Sequence, residues 1–235
     1  MIASSQDHAL QQLLQRLPDL EPLTHYRRYC ESRAHGHRKQ AFEQLERFLQ
    51  AFQSQTLDFK IWFARVVLDH AETVIDGDCG PLPHPLKELA IKPALQLWSD
   101  RDPTATQPLY WLAKFFQDRD ALQQALQRDP LAQKPLVLDI EQKFGRLDFS
   151  THHLPDSYIG DPDTDLSLLA EIGLLIEKVQ DIPTKSRLDQ ELQFFSSLIS
   201  SYRQWQASGE VSFAAWAAKH EKVAESGVKT YHIER

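Results

Sequence analysis

Glycine is scarce: the chain has eight in 235 residues. Phosphate-cradling loops and strained nucleophile turns are built on glycine, and no G-x-G-x-x-G, GxxxxGK[ST] or GxSxG occurs. Cysteine is scarcer still, with Cys30 and Cys79 alone. Two cysteines without a CxxC make no disulfide framework, and free thiols fit a reducing, cytoplasmic setting. No run of eighteen apolar residues is present, so no membrane span is expected. The start, MIASSQDHALQQLLQRL, lacks the basic region and unbroken apolar stretch of a secretory signal. Runs of β-branched residues are also missing, which disfavours a sheet.

Leu, Gln and Ala are abundant, with 42% apolar and 25% charged residues, as in ordinary globular proteins. The net charge of −7 is unevenly spread. Residues 25–40 (HYRRYCESRAHGHRKQ) hold five cations against Glu31, and residues 139–181 hold ten acids against three bases. A basic end and an acidic belt are expected.

Nearly every segment reads at the helical period. Ser5 suits a cap for a first helix with the stripe Ala9, Leu10, Leu13, Leu14 and Leu17, stopped before Pro18. A second helix opens at Pro22 and carries Tyr26, Tyr29 and Cys30. A third carries Ala41, Phe42, Leu45, Phe48, Leu49 and Phe52. A fourth, over 57–75, is apolar on more than one side and belongs in the core. DGDCGPLPHP (76–85) is the strongest loop, and 145–164 reads as a second one. Pro93 should break or restart a helix over 86–99, and Asp118 can cap one reaching Arg128. Helices near 165–180, 184–207 and 212–226 follow, with Thr184 and Ser212 as caps. The tail VKTYHIER alternates weakly, as a short extended stretch would. About ten helices with little or no β-structure result. We expect a single all-α domain over 1–235, with an N-terminal helical cluster (1–76) and further helices over 84–227.

One phrase occurs twice, as ALQLWSDRDPTATQPL (94–109) and ALQQALQRDPLAQKPL (121–136). At an offset of 27 the two agree at nine of sixteen positions, among them Arg101/Arg128, Asp102/Asp129, Pro103/Pro130 and Pro108/Pro135. A residue before proline avoids the α region, so Gln107 and Lys134 mark boundaries. Proline in a first turn wastes no hydrogen bond, because that N–H has no intrahelical partner. RDPxAxxPL therefore reads as helix end, turn and helix start. The following stripes are Leu109, Leu112, Phe115 and Phe116 in one copy and Leu136, Ile140 and Phe144 in the other.

Leu112 and Ala113 with Phe116, then Ala121, Ala125 and Asp129-Pro130, make residues 85–145 resemble a tetratricopeptide repeat, although that family's period is 34 residues rather than 27. The resemblance implies an irregular stack of helical hairpins, a tetratricopeptide-like α-α superhelix, whose usual work is holding another polypeptide.

Candidate chemistry is thin. His35-Gly36-His37 and His152-His153 (with Asp148 and Asp156) read as solvated turns. His70 with Asp69, Glu72 and Asp76 could form a carboxylate–imidazole group, but a second such helix is missing. Asp161-x-Asp163-x-Asp165 starts like a calcium loop but has Leu166 where glycine is required, so it reads as an acid-rich helix start. Cys30 reads as buried packing. No catalytic residue, metal ligand or cofactor is assigned. The function expected is a non-catalytic protein–protein interaction module. Its contacts would be Arg27, Arg28, His35, His37, Arg38 and Lys39, with Tyr110 and Trp111 as exposed aromatic anchors, Trp111 suiting the core equally. An acidic protein surface, or the chain's own 139–181 belt, would match those cations. Nucleic-acid binding through 25–40 and a metal-dependent helical-bundle enzyme are the alternative classes.

Overall fold

The computed structural model describes residues 5–73 and 82–222. Among these the chain is all-α, with no strand. The loop 76–81 with Cys79, the tail VKTYHIER and the Ser5 side chain lie outside the described residues. The chain divides into two compact units, Met1–Arg128 and Asp129–Arg235, so the division falls inside the second RDP.

The first unit begins with α1 (Ser5–Arg16), which ends before Pro18 as the sequence requires. Pro22 sits in a 3₁₀ turn (Glu21–Leu23) that leads into α2 (Thr24–Ala34). Next come α3 (Arg38–Gln53) and α4 (Leu57–Thr73). Tyr26, Phe48 and Phe63 meet with ring centroids 5.0–5.1 Å apart, and Phe52 lies 5.4 Å from Phe63. All four are buried. Each such ring contributes roughly 1.5–3 kcal/mol by burial, so this aromatic knot anchors α2, α3 and α4 together.

Pro93 does not break its helix but restarts it, standing in the first turn of the α segment that opens at Lys92. A short α5 (His84–Leu86) runs through a π-helical turn (Lys87–Ile91) into α6 (Lys92–Arg101). The Lys92 N–H bonds back to the Lys87 carbonyl, five residues earlier. A wider turn just ahead of a residue that cannot donate keeps the helix continuous. Two more helices, α7 (Gln107–Phe116) and α8 (Arg119–Arg128), complete the unit, each packed on its predecessor. Asp118 accepts from the Ala121 N–H at 3.0 Å and caps α8 as expected.

Both copies of the repeated phrase fold alike. Asp102 Oδ1 accepts from the Thr104 N–H at 3.0 Å, and Asp129 Oδ1 from the Leu131 N–H at 2.9 Å. The Ala105 and Ala132 amides bond back to the Asp102 and Asp129 carbonyls. Each is a turn opened by aspartate with proline second, the order that β-turn geometry favours.

The second unit contains α9 (Gln133–Thr151), α10 (Pro162–Ile176), α11 (Ile182–Ser208) and α12 (Phe213–Lys219). Its core includes Leu154, Leu198, Phe213, Trp216 and Ala217, with Tyr158, Tyr202 and Trp205 packed against them. Two expectations need correction. Residues 145–151 are not loop, because α9 runs through Gly145 to keep Ile140, Phe144 and Leu147 on one buried face. Thr184 does not cap α11: Asp181 does, accepting from the Thr184 N–H at 2.9 Å. Ser212 caps α12 as read.

Candidate functional site

The basic corner is set by how α2 stops. Gly36 has φ +76°, a left-handed conformation that glycine adopts without strain. The His37 N–H bonds the Ser32 carbonyl at 2.8 Å and the Gly36 N–H bonds Arg33 at 3.0 Å. This paired arrangement is a Schellman close, and it turns the chain sharply into α3. The turn displays His35, His37, Arg38 and Lys39 to solvent, and Arg28 is exposed on α2.

His35 Nδ1 donates to the Glu31 carbonyl at 2.7 Å, and its ring lies 6.3 Å from that of His37. The Arg38 guanidinium sits 5.8 Å above the Phe42 ring, so its stem is braced while its charge stays in water. Beside it an open depression of about 680 Å³ is lined by Arg38, Lys39, Phe42, Glu43 and Glu46. Among the described residues, Arg28, Arg38 and Lys39 take part in no ion pair. The first turn of α3 holds no acid and no side-chain cap. Two cations therefore stand at the positive end of the helix dipole, where charge of that sign costs stability.

Arg27 does not join them. Its Nη1 donates to the Leu17 carbonyl at 2.7 Å and ties the end of α1 to α2. Tyr110 and Trp111, expected as exposed anchors, are buried at 6% and 1% exposure. Packed on both α6 and α8, α7 buries every residue from Pro108 to Ala113, which removes both aromatics from the candidate surface.

The acidic belt engages cations of its own unit. Asp139 and Glu171 meet Lys143, Glu141 meets Arg187, Glu177 meets Lys185, and Asp163 meets Arg203. Asp161 accepts from the Thr164 N–H at 3.1 Å and caps α10, the structural role read from the sequence. The hydroxyl of Thr164 holds the Asp161 carboxyl below the ordinary carboxylate range.

Among the described residues no group of three or more His, Cys, Asp or Glu could hold a metal. His152 and His153 have rings 4.0 Å apart, and His152 Nδ1 bonds the Phe149 carbonyl. His70 turns into the core and Glu72 pairs with Lys114 at 3.5 Å, so the carboxylate–imidazole group is not assembled from these two. Cys30 is buried, and burial pushes its thiol up to about 12.

One polar node leaves almost no mark in the sequence. Asp165 is 6% exposed and accepts from the Tyr158 hydroxyl at 2.7 Å. Burial first, and then the Asp165 bond, push the Tyr158 phenol well above its usual range. Gly160 passes so close that an added Cβ would lie 2.4 Å from Ser150 Oγ and 2.8 Å from Asp165 Oδ2. The Gly-Asp-Pro after Tyr158 was its one visible trace. The node fastens the 152–161 connection to α9 and α10, with Ser150 and Asp165 buried and Tyr158 half-buried, so it is structural.

Among the described residues no helix is long and apolar enough to cross a membrane. No protein-family model, curated protein or solved structure matches the chain.

Proposed function

We propose that this protein is a non-catalytic interaction module that grips an acidic segment of another protein with the α2–α3 corner. The observation that carries it is that Arg38 and Lys39 at the Schellman turn, and Arg28 on α2, are exposed and in no ion pair among the described residues, with His35 and His37 beside the turn. Elsewhere in the chain many of the cations are used: Lys143, Lys185, Arg187 and Arg203 meet carboxylates, and Arg27 and Arg128 meet carbonyls. Cations kept free at a helix start, against the dipole, favour a role in recognition over one in folding. The tetratricopeptide-like succession of α6, α7 and α8 supports the same class, since stacked hairpins commonly hold polypeptides.

The test is capture from a native lysate by the full chain and by an Arg28→Glu/Arg38→Glu/Lys39→Glu variant. A stoichiometric protein that the wild type retains and the variant loses is the expected result. Capture that disappears on nuclease treatment would assign the corner to nucleic acid instead. Equal capture by both proteins would remove the corner from function.

A further inference from the structure

His70 is the buried titratable group that the corner leaves unexplained. It lies on α4 at 0% exposure, and its Nε2 is 2.7 Å from the carbonyl of Ala9 on α1. A carbonyl only accepts, so Nε2 carries the proton and Nδ1 of the neutral ring is a bare lone pair. That Nδ1 is buried without a hydrogen-bond partner. A second proton would therefore create a buried N–H and a charge with no acceptor from the protein, which folded interiors strongly disfavour. Burial accordingly holds His70 below the ordinary histidine range, opposed by the Ala9 bond and reinforced by the Arg16 charge.

Helix α1 is short, and a twelve-residue helix is not stable alone in water. It keeps Ala9, Leu10, Leu13 and Leu17 buried. Among the described residues two polar pins hold it, Arg27 on the Leu17 carbonyl at its end and His70 on the Ala9 carbonyl at its middle. The first keeps its charge at every physiological pH, whereas the second is an imidazole.

We propose that His70 is an acid-released latch, whose protonation frees α1 from α4 while the rest of the unit stays folded. The direction follows from linkage. The closed state favours the neutral ring, and the open state takes a proton near pH 6.5. Closure is therefore at full strength above about pH 6.5 and weakens as pH falls below it. The charged and titratable groups on the surrounding elements include His8 and Arg16 on α1, and His25, Tyr26, Arg27, Arg28, Tyr29, Cys30, Glu31 and Arg33 on α2. On α4 they include Asp58, Lys60, Arg65, Asp69 and Glu72, and on the π turn and α6 Lys87, Glu88, Lys92, Asp100 and Arg101. Of these, Arg16 is the charge that acts on the ring, and it raises the cost of protonation. Glu72 is occupied by Lys114 and Glu88 by Lys92. The uncovered surface would be apolar, lined by the partners of Leu10, Leu13 and Leu17.

Hydrogen exchange of the full chain at pH 7.5 and 5.0, corrected for intrinsic rates, tests the latch. Amides of Ala9–Arg16, which bond within α1, should lose protection by about tenfold or more, while those of Tyr110–Ala113 hold theirs. In His70→Gln, whose amide can still donate to Ala9 but cannot titrate, the α1 change should vanish. Unchanged α1 exchange, an equal loss at Tyr110–Ala113, or the same loss in His70→Gln would each overturn the latch. If His70→Gln does not fold, ring NMR of wild-type His70 decides: its protonation must track α1 opening across the same pH range, and a mismatch sinks the idea.

Discussion

Arg128, the last residue of α8, donates from Nη1 to the carbonyl of Ala105 at 2.9 Å, in the turn of the preceding copy of the repeat. Longer bonds reach the Asp102 and Ser99 carbonyls at 3.4 Å. A single guanidinium thus closes one copy of the phrase onto the turn of the other. Its counterpart Arg101 does something different: it pairs with Asp58, with both side chains largely in solvent at 48% and 81% exposure. Replacing Arg128 by Ala should cost about 1–3 kcal/mol, because partly buried carbonyls lose a charged donor. Arg101→Ala should cost under about 1 kcal/mol, as exposed pairs do. Urea unfolding followed by tryptophan fluorescence separates them, since Trp98 and Trp111 lie in this unit at 6.0 Å from each other. Equal costs would mean that the inter-copy stitch contributes nothing of its own.

Two glycines of the second unit should respond in opposite directions. At Gly160 an added Cβ has no room between Ser150 and Asp165. Gly160→Ala should destabilise by about 1–3 kcal/mol, the usual cost of overpacking. Gly145 is mid-helix in α9 and its Cβ would meet nothing within 4 Å. Gly145→Ala should stabilise by about 0.5–1 kcal/mol. Thermal unfolding of the two variants side by side checks both signs.

Cys30 should resist thiol reagents in the native protein at pH 8, and react once the fold is lost. The folded chain holds its thiol proton to about pH 12, and the unfolded chain loses it near pH 8.5. A raised folded value means the contribution is complete below about 8.5 and is lost as pH climbs toward 12. Tyr26 and Tyr29, also raised chiefly by burial, add to the same decline above about pH 10. Stability should fall by about 1.4 kcal/mol per pH unit for each group so engaged. Cys30→Ala should flatten the first part of that decline; an unchanged profile would clear the thiol of it.

The helical period of Leu10, Leu13 and Leu17, the prolines at 108 and 135 and the aspartates at 102 and 129 carried the fold class, because each acts within one turn of chain. What escaped acts across the chain. Trp111 read as an anchor because α7 shows a narrow stripe, but packing by both neighbours buries the whole of Pro108–Ala113. Gly145 read as loop, yet a cost of about 1 kcal/mol is small beside burying Ile140, Phe144 and Leu147 on one face. At α11 the right turn was found and the wrong end of the bond chosen, since Thr184 donates to the capping Asp181. The bonds of Arg128 to Ala105 and of His70 to Ala9 are aimed at backbone carbonyls, which every residue carries and no pattern advertises. The exposed corner was legible because Gly36 and its flanking cations are contiguous.

The same corner permits a prediction that separates stability from recognition. Arg38 and Lys39 occupy the first turn of α3, whose exposed N–H groups already make that end positive. Replacing Arg38 by Glu removes an unfavourable charge and adds a favourable one, so the protein should be more stable by about 0.3–1 kcal/mol. Loss of the guanidinium from above Phe42 takes back part of this gain, on the order of 0.5 kcal/mol for an exposed contact. The gain should shrink in high salt, because the screening length falls from about 8–10 Å near physiological salt to about 3 Å at 1 M. If the corner exists to bind an acidic partner, the same variant should lose that partner while its melting temperature holds or rises. A variant that binds as before and melts higher would show that the cations at this turn serve neither folding nor recognition.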